Sequence, residues 1–310
     1  MRTLICVLLC ALTVSAQVKL TRAGDRVDIT VDGRPFTSFH FSGDYAKVFL
    51  HPLISSSGKT VTRGFPIVKD IPGESKDHPH HLGVFLAHDE VNGAHLWNEP
   101  AGHGRIVLAE LGEMKGGKDS GTLSARMLWK TADGKDLLEE RRTMTFRKDA
   151  IDFILTLKPA GSEKVTLGDT KEAFFGVRLT KPLEEKSAKC AACTAVMVNS
   201  EGATGEKAIW GKRATWVDYS GTVDGENLGI AMFDHPSNPR HPSYWHARGY
   251  GLFAVNPFGE RDFLSDKTRD GSMTLEPGQS VTFHYRIWIH TGNAQEAGVA
   301  EQYRKWASNR

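Results

Sequence analysis

The feature that most constrains the fold is a long succession of short segments in which apolar and polar residues alternate. Residues 27–31 alternate in this way, and Asp32-Gly33 follows as a hairpin turn signal. Similar segments recur at residues 122–131, 137–147, 151–157, 173–179, 215–219, 229–233, 251–255 and 280–290. Helical spacing is clear only over residues 294–307. The pattern predicts an all-β protein, a large β-sandwich with a short C-terminal helix.

The first 16 residues differ from the rest of the chain. A short basic start precedes an uncharged apolar run over residues 4–14, and Ser15-Ala16 provides the small residues at which signal peptidase cuts. The run is too short to span a bilayer, and no later stretch is long enough. We therefore expect a signal peptide over residues 1–16, cleaved after Ala16, and a secreted or periplasmic protein without membrane insertion. With no linker or internal repeat, residues 17–310 are expected to form one domain.

Charge and cysteine content exclude several classes of function. The 39 basic and 37 acidic residues give a net charge of +2, which offers no footprint for nucleic acid. Of the four cysteines, only Cys190 and Cys193 follow the predicted leader. In an oxidising compartment they are expected to form a local disulfide or two inert thiols, in preference to a redox or metal site.

The thirteen histidines point most directly to function, because many fall in two clusters. The first histidine cluster, residues 77–81, reads Asp-His-Pro-His-His, and the second, residues 234–246, contains His235, His241 and His246. Prolines in both clusters predict rigid loops or strand ends, where side chains can be aimed at a ligand. Three interpretations remain open: acid–base catalysis, metal ligation, and ordinary hydrogen bonding within loops.

The candidate site residues follow from these clusters and from polar or aromatic residues near them. Glu172 leads into an apolar strand that would raise its pKa, with pairing to a nearby arginine as the alternative, and tryptophan faces either stack on sugar rings or pack in the core. The catalytic candidates are His78, His80, His81, Glu172 and His235, with His78 and His80 also the candidate ligands of a divalent metal ion. The candidate substrate-binding residues are Arg63, Trp97, Asn98, Arg178, Asp234, Arg240, His241, Trp245, His246 and Asn256.

Three separated blocks carry a resemblance to a known family. Residues 61–66, 77–83 and 233–259 resemble the uncharacterised bacterial family of secreted proteins labelled "PmoA-like" or "methane oxygenase PmoA". Its members typically occur alongside glycan-degrading enzymes and sugar dehydrogenases, which implies work on carbohydrate, whereas the label implies an oxygenase. Residues 275–279 and the strand after them are also similar to the close of galactose-mutarotase-type supersandwiches, which implies a fold of that type.

Together these observations predict a secreted carbohydrate-active enzyme. It would hydrolyse, eliminate or isomerise at a sugar or oxidised sugar by histidine and carboxylate acid–base chemistry, with or without a divalent metal ion. The expected partner is a small carbohydrate or a glycan. Two alternatives remain: a non-catalytic glycan-binding protein that uses Trp97 and Trp245 as platforms, and a metal-dependent oxygenase.

Overall fold

The computed structural model describes residues 17–99 and 102–308, and most of them lie in antiparallel strands or the turns between strands. The signal peptide predicted over residues 1–16 lies outside this part of the chain. Within it, the helices are too short or too polar to cross a membrane.

Nineteen strands occur in the described residues and are numbered here in chain order. They are β1 Gln17–Ala23, β2 Arg26–Val31, β3 Arg34–His40, β4 Phe49–Leu50, β5 Val84–His88, β6 Arg105–Lys115, β7 Gly117–Lys118, β8 Gly121–Lys130, β9 Asp136–Phe146, β10 Ala150–Pro159, β11 Val165–Leu167, β12 Ala173–Arg178, β13 Val196–Asn199, β14 Trp216–Val223, β15 Glu226–Asp234, β16 Tyr244–Ala247, β17 Leu252–Asn256, β18 Met273–Leu275 and β19 Val281–Thr291. The helices are α1 Glu206–Ile209, α2 Glu260–Phe263 and α3 Val299–Ala307, and Lys181–Leu183 forms one 3₁₀ turn.

Two large antiparallel sheets contain most of these strands. The first sheet has nine strands in the order β16-β17-β12-β5-β4-β3-β2-β1-β7, and the second has eight in the order β13-β14-β15-β19-β10-β9-β8-β6. The sheets pack face to face: Phe175 of β12 stacks on Tyr285 of β19 with ring centroids 5.2 Å apart. The predicted β-sandwich is confirmed.

The alternation that predicted the strands places one side of each strand in the core. In β8, Leu123, Ala125, Met127 and Trp129 are buried, and the residues that alternate with them are half-buried. The second sheet is also covered on its other side, where Val299 and Trp306 of α3 pack against Phe233. Burial of this second apolar face explains why the predicted C-terminal helix forms.

In the first sheet, every residue of β4, β5, β12, β16 and β17 is buried. His81 of the first histidine cluster, ahead of β5, stacks on Phe85 and covers part of that strand. At the opposite edge of the sandwich, β6 pairs with β8 through two register breaks, at Leu108/Glu110 and Leu111/Met114. The buried centre of the first sheet positions the candidate site.

Candidate functional site

The first histidine cluster is held against the ends of β5 and β12. The backbone N–H of Arg178 donates to the carbonyl oxygen of Gly83 at 2.9 Å, so the cluster enters β5 beside the end of β12. Gly83 has φ +52°, and a Cβ there would lie 2.1 Å from the carbonyl oxygen of Leu50. Only glycine fits this close approach of two backbones, which brings His81 next to Arg178.

Asp77 is the centre of the site, because two buried arginines share one of its oxygens. Nη1 of Arg63 and Nη2 of Arg178 each donate to Oδ1 of Asp77 at 2.8 Å. The arginine side chains are 1% and 0% exposed, whereas the Asp77 side chain is 38% exposed. Burial alone would raise the pKa of Asp77, but the charge of Arg178 and hydrogen bonds from Ser75 and His78 lower it to about 2. The carboxylate therefore stays ionised at neutral pH.

His78 interacts with the other oxygen of the Asp77 carboxylate. Its Nδ1 lies 2.8 Å from Oδ2 of Asp77, and its side chain is 42% exposed. The ring is stacked between His81, at 4.9 Å, and Tyr250, at 5.1 Å between centroids. A carboxylate that fixes Nδ1 orients the imidazole and leaves Nε2 to exchange protons with a ligand. We call Asp77 and His78 the Asp–His dyad.

His81 is buried behind the dyad. Since a guanidinium can only donate, Nδ1 of His81 accepts from Nη1 of Arg178, 3.2 Å away, and the proton of the neutral ring is on Nε2. Burial, followed by the charge of His80, puts the pKa of His81 well below its usual value. Nε2 of His81, Nε of Arg178 and Nε1 of the adjacent Trp97 are buried without a hydrogen-bond partner among the described residues. Three unsatisfied donors thus lie in one contact network and are available to a water or to a polar ligand.

His80 and the residues beneath it form the side of the site nearest Lys47. Burial and the charge of Lys47 lower the pKa of His80 to about 3, so this ring is neutral at physiological pH. Nζ of the buried Lys47 donates to the carbonyl oxygen of His80 at 3.2 Å and to Oε1 of Glu99 at 3.1 Å. Sequence reasoning missed Lys47, which stands in no motif, and Tyr250, which lies within residues 233–259 but was given no role.

Glu172 supplies a second carboxyl group near the dyad. It precedes β12 and is partly buried. Burial raises its pKa, and nearby Asp89 adds to the increase, while Lys171 and His78 oppose it. The charge of His78 acts on Glu172, and the charge of Glu172 acts on Tyr250, so these three side chains lie within electrostatic range of one another. A carboxyl group with a raised pKa is suited to act as a general acid.

The structure builds the second histidine cluster around Asp234 at the end of β15, in the second sheet. Oδ2 of Asp234 accepts hydrogen bonds from Nδ1 of His241 at 2.9 Å and from the backbone N–H of Ser243 at 2.8 Å. His235 bonds Ser237 and packs against Trp306 of α3. The second cluster then ends in β16 of the first sheet, where His246 lies.

Four other predicted binding residues are committed to the fold. Trp245 is fully buried and donates to the carbonyl oxygen of Ala214, while Arg240 donates to the carbonyl oxygens of Pro257, Gly271 and Ser272. Asn256 is buried; its side-chain amide donates to the carbonyl oxygen of Thr170 and accepts from the backbone N–H of Phe258. His246 donates from Nδ1 to the carbonyl oxygen of Lys171, beside Glu172.

Trp97 is also fully buried, so neither Trp97 nor Trp245 offers an open ring face for stacking on sugar. Asn98 lies half-buried between Trp97 and Glu99. Of the two tryptophans predicted to bind substrate, only Trp97 contacts the first histidine cluster, and it does so through the ring of His81.

Potential metal ligands come together at a different place. Among residues 17–99 and 102–308, the only three such side chains within mutual reach are Glu184, Cys190 and Cys193. The two cysteines form a disulfide, one of the two expected outcomes for this pair. The rings of His78 and His80 are 5.7 Å apart, and no third ligand joins them in the described residues.

A large cleft, with a volume of about 800 Å³, is separate from the dyad. It lies on the outer face of the first sheet, over β2 and β3, and is lined by His40 and His51. The segment that runs from Arg63 to Asp77 separates it from the dyad: Gly64 and Glu74 line the cleft, and Arg63 holds Asp77. We call it the His40 cleft.

The fold and site define an all-β sandwich protein with an arginine-anchored Asp–His dyad. The chain belongs to the "Family of unknown function (DUF6807)", whose profile matches residues 26–304. No curated protein matches the chain in sequence. The family description names no activity, so the resemblance to the family labelled PmoA-like stays an interpretation of the sequence.

Several solved structures are similar to this chain at low identity. A GH36 α-galactosidase, AgaA from Geobacillus stearothermophilus, is 10% identical with a TM-score of 0.43, over 90% of this chain and 41% of its own. The heparan sulfate lyase HepC from Pedobacter heparinus is 9% identical with a TM-score of 0.39, over 86% of this chain and 34% of its own. Slr1438 from Synechocystis sp. PCC 6803 is 12% identical with a TM-score of 0.40, over 89% of this chain and 96% of its own. The chain thus spans about two fifths of the α-galactosidase.

Proposed function

We propose that the protein is an exported carbohydrate-active enzyme whose acid–base chemistry is carried by His78 and Glu172. The Asp–His dyad supports this proposal most strongly: a half-exposed imidazole is oriented by a carboxylate that two buried arginines hold in place. Holding Nδ1 to a fixed carboxylate sets the direction of Nε2 and stabilises the imidazolium formed when Nε2 takes a proton.

The roles follow from the environment of each group. His78 acts as the base and removes a proton from a carbon or hydroxyl of the sugar, and Glu172, whose pKa is raised by burial, gives a proton to the oxygen on which charge develops. Nε2 of His81 and Nε1 of Trp97 are the donors that would bind hydroxyl or carboxylate oxygens. Arg63 and Arg178 position the dyad.

Of the three reaction types expected, isomerisation and elimination fit this arrangement better than hydrolysis. Glycoside hydrolysis ordinarily uses two available carboxyl groups on either side of the scissile bond. Here the Asp77 carboxylate is occupied by two guanidinium groups and His78, and Glu172 is the one remaining carboxyl group assigned to the site. One imidazole base and one carboxylic acid suit proton transfer at a sugar carbon.

The test is solvent exchange at sugar carbons, measured by NMR in D₂O. The protein starting at Gln17 is incubated with neutral oligosaccharides and with oligosaccharides that contain uronate. The loss of sugar C–H signals and the appearance of new products are then measured over time. His78→Gln and Glu172→Gln should each lower the rate by about 10²–10⁴-fold. Glu163→Gln, on an exposed loop, is the control and should leave the rate unchanged. Exchange or turnover that survives both site substitutions contradicts the proposal.

The alternatives predict other results in the same experiments. Glycan binding without exchange or turnover, with His78→Gln binding as tightly as wild type, would indicate a non-catalytic glycan-binding protein. Stoichiometric iron or copper together with oxygen consumption would indicate an oxygenase. Export is tested separately: in the native host the mature protein should begin at Gln17 and fractionate outside the cytoplasm.

A further inference from the structure

The His40 cleft is a built cavity with a polar floor. Its volume, about 800 Å³, falls in the range of small-molecule sites, roughly 300–1,000 Å³. Asp28 and Ser38 are cross-strand partners on β2 and β3, and Arg26 pairs with His40 two residues along. The residues between them, Val27 and Phe39, are fully buried in the sandwich. The floor side chains therefore face away from the core.

The charged groups that line the cleft, apart from Asp224 on its exposed rim, are already ion-paired or hydrogen-bonded within the protein. Asp28 accepts from Nε of Arg26 at 2.7 Å and from Oγ of Ser38 at 2.6 Å. Nζ of Lys181 donates to Glu184 at 2.7 Å. The carboxylate of Glu74 accepts hydrogen bonds from the backbone N–H groups of Gly64 and Phe65, at 2.8 and 3.0 Å. An ionic ligand would have to displace one of these partners, so the floor favours an uncharged ligand.

His40 and His51 each have a defined ring tautomer, which leaves one ring nitrogen as a hydrogen-bond acceptor. Nε2 of His40 donates to the carbonyl oxygen of His51 at 2.8 Å, and Nε2 of His51 donates to that of Arg63 at 3.1 Å. Burial, with the charge of His40, lowers the pKa of His51 to about 4, and burial also lowers the pKa of His40. Both rings are neutral at physiological pH. Nδ1 of each is consequently a lone-pair acceptor, suited to the hydroxyl of a ligand.

The wall of the cleft is apolar. Val68 and Ile71 are 46% and 38% exposed, among the few large apolar side chains that the protein leaves open to solvent, and Ile67 lies beside them. Pro52 and Pro182 extend this surface. Apolar surface facing hydroxyl acceptors matches a molecule with C–H faces and hydroxyl edges.

We propose that the His40 cleft is a binding site for an uncharged oligosaccharide, distinct from the Asp–His dyad. Hydroxyl groups donate to Nδ1 of His40 and His51, and the C–H faces of the sugar rings lie on Val68 and Ile71. The inference goes beyond the proposed function, since binding here needs neither His78 nor Glu172.

The test combines titration calorimetry with NMR of the histidine rings. The probes are cellobiose, lactose and maltotriose, with trigalacturonate as the charged comparison. Wild type should bind at least one uncharged probe, and the ¹⁵N resonances of His40 and His51 should report Nε2–H tautomers and shift on binding. His40→Phe keeps the stack on Phe49 but lacks the acceptor, and Ile71→Asp charges the wall. Each should weaken binding at least tenfold.

Two controls separate this site from the dyad. Ile154→Asp alters a comparably exposed isoleucine on β10 and should leave affinity unchanged, as should His78→Gln. Failure of all uncharged probes, preference for trigalacturonate, or binding lost in His78→Gln but retained in His40→Phe and Ile71→Asp would each overturn the proposal. The exchange rates of the His78 and Glu172 variants do not enter these outcomes, so the proposed function stands or falls separately.

Discussion

Nη2 of Arg178 donates to Oδ1 of Asp77 over 2.8 Å, joining residues 101 positions apart in the chain. This bond fastens the first histidine cluster to the end of β12. Since the Arg178 side chain is fully buried, its charge has no access to water and depends on this carboxylate.

Removal of the charge of Arg178 is therefore expected to destabilise the fold. Arg178→Met should lower the free energy of unfolding by about 2–3 kcal/mol, less than the 3–5 typical of a fully buried pair because Asp77 is 38% exposed. Urea unfolding measures the loss. In a double-mutant cycle, adding Asp77→Asn should cost less in the Arg178→Met background than in wild type. Additive effects would show that the two groups are not coupled.

Stability should fall as pH decreases below about 6.5, because several histidines are buried in neutral form. Burial lowers the pKa of His88 to about 3, below the roughly 6.5 of an unfolded chain. The unfolded state then binds the extra proton between these values, so stability is present above pH 6.5 and is lost toward pH 3.

His88→Gln keeps a donor for the carbonyl oxygen of Gly168 but cannot titrate. It should reduce the slope of unfolding free energy against pH by about 1.4 kcal/mol per pH unit between pH 6 and 4. Thr156→Ser in β10 leaves all histidines in place and should keep the wild-type slope. A slope unchanged in His88→Gln would mean that His88 is not neutral in the fold.

Glu172 should set the alkaline limit of activity. A general acid with a raised pKa works only while protonated, so the rate should fall as pH rises through that pKa. Glu172→Gln should remove this limb of the pH–rate profile as well as lower kcat. Glu163→Gln should retain the limb, since Glu163 lies on an exposed loop. An alkaline limb that persists in Glu172→Gln would assign it to another group.

Gly83 should not tolerate a side chain. Its φ of +52° and the contact of a Cβ with the carbonyl oxygen of Leu50 at 2.1 Å combine strain with a clash between backbones. Gly83→Ala should cost about 2–4 kcal/mol of unfolding free energy. Gly161→Ala is the control, because a Cβ added there would have no atom within 4 Å and the φ of Gly161 is not positive. Equal melting temperatures for the two variants would refute this interpretation.

The disulfide should stabilise its own loop more than the whole protein. Closing a loop of four residues is worth at most about 2 kcal/mol in the chain-entropy view. Ala192, between the two cysteines, lines the His40 cleft. Cys190→Ser combined with Cys193→Ser should therefore lower the unfolding free energy by at most about 2 kcal/mol and weaken sugar binding in the cleft several-fold. Global unfolding of the double variant would contradict this.

Strands are easiest to predict from the sequence where one face is buried and the other faces solvent. Strands such as β8 and β19 alternate clearly and are recognisable in the sequence. The strands β12 and β17 are recognised although both of their faces are buried, whereas β5, in which all five residues are also buried, is missed. The strand β6 also escapes prediction, since register breaks interrupt its alternation.

The candidate site could be predicted only in part, because composition identifies residues and not their partners. The first histidine cluster, Arg63 and Arg178 can all be named from the sequence, but the role of Asp77 depends on pairing across 101 residues. The second histidine cluster has the same mixture of histidine and proline, yet its aspartate is used within the cluster. Lys47 enters from a segment without any motif.

The two register breaks of β6 have a consequence for a chain that must fold without aggregating. An eleven-residue strand at the margin of a sheet exposes a row of free backbone groups on which another chain can extend the sheet. Bulges at Leu108/Glu110 and Leu111/Met114 interrupt that row, and Glu110, Glu113 and Lys115 place charge along it. At the other margin of this sheet, β13 is only four residues long. The sandwich thus offers neighbouring molecules no regular template for strand addition at these two margins.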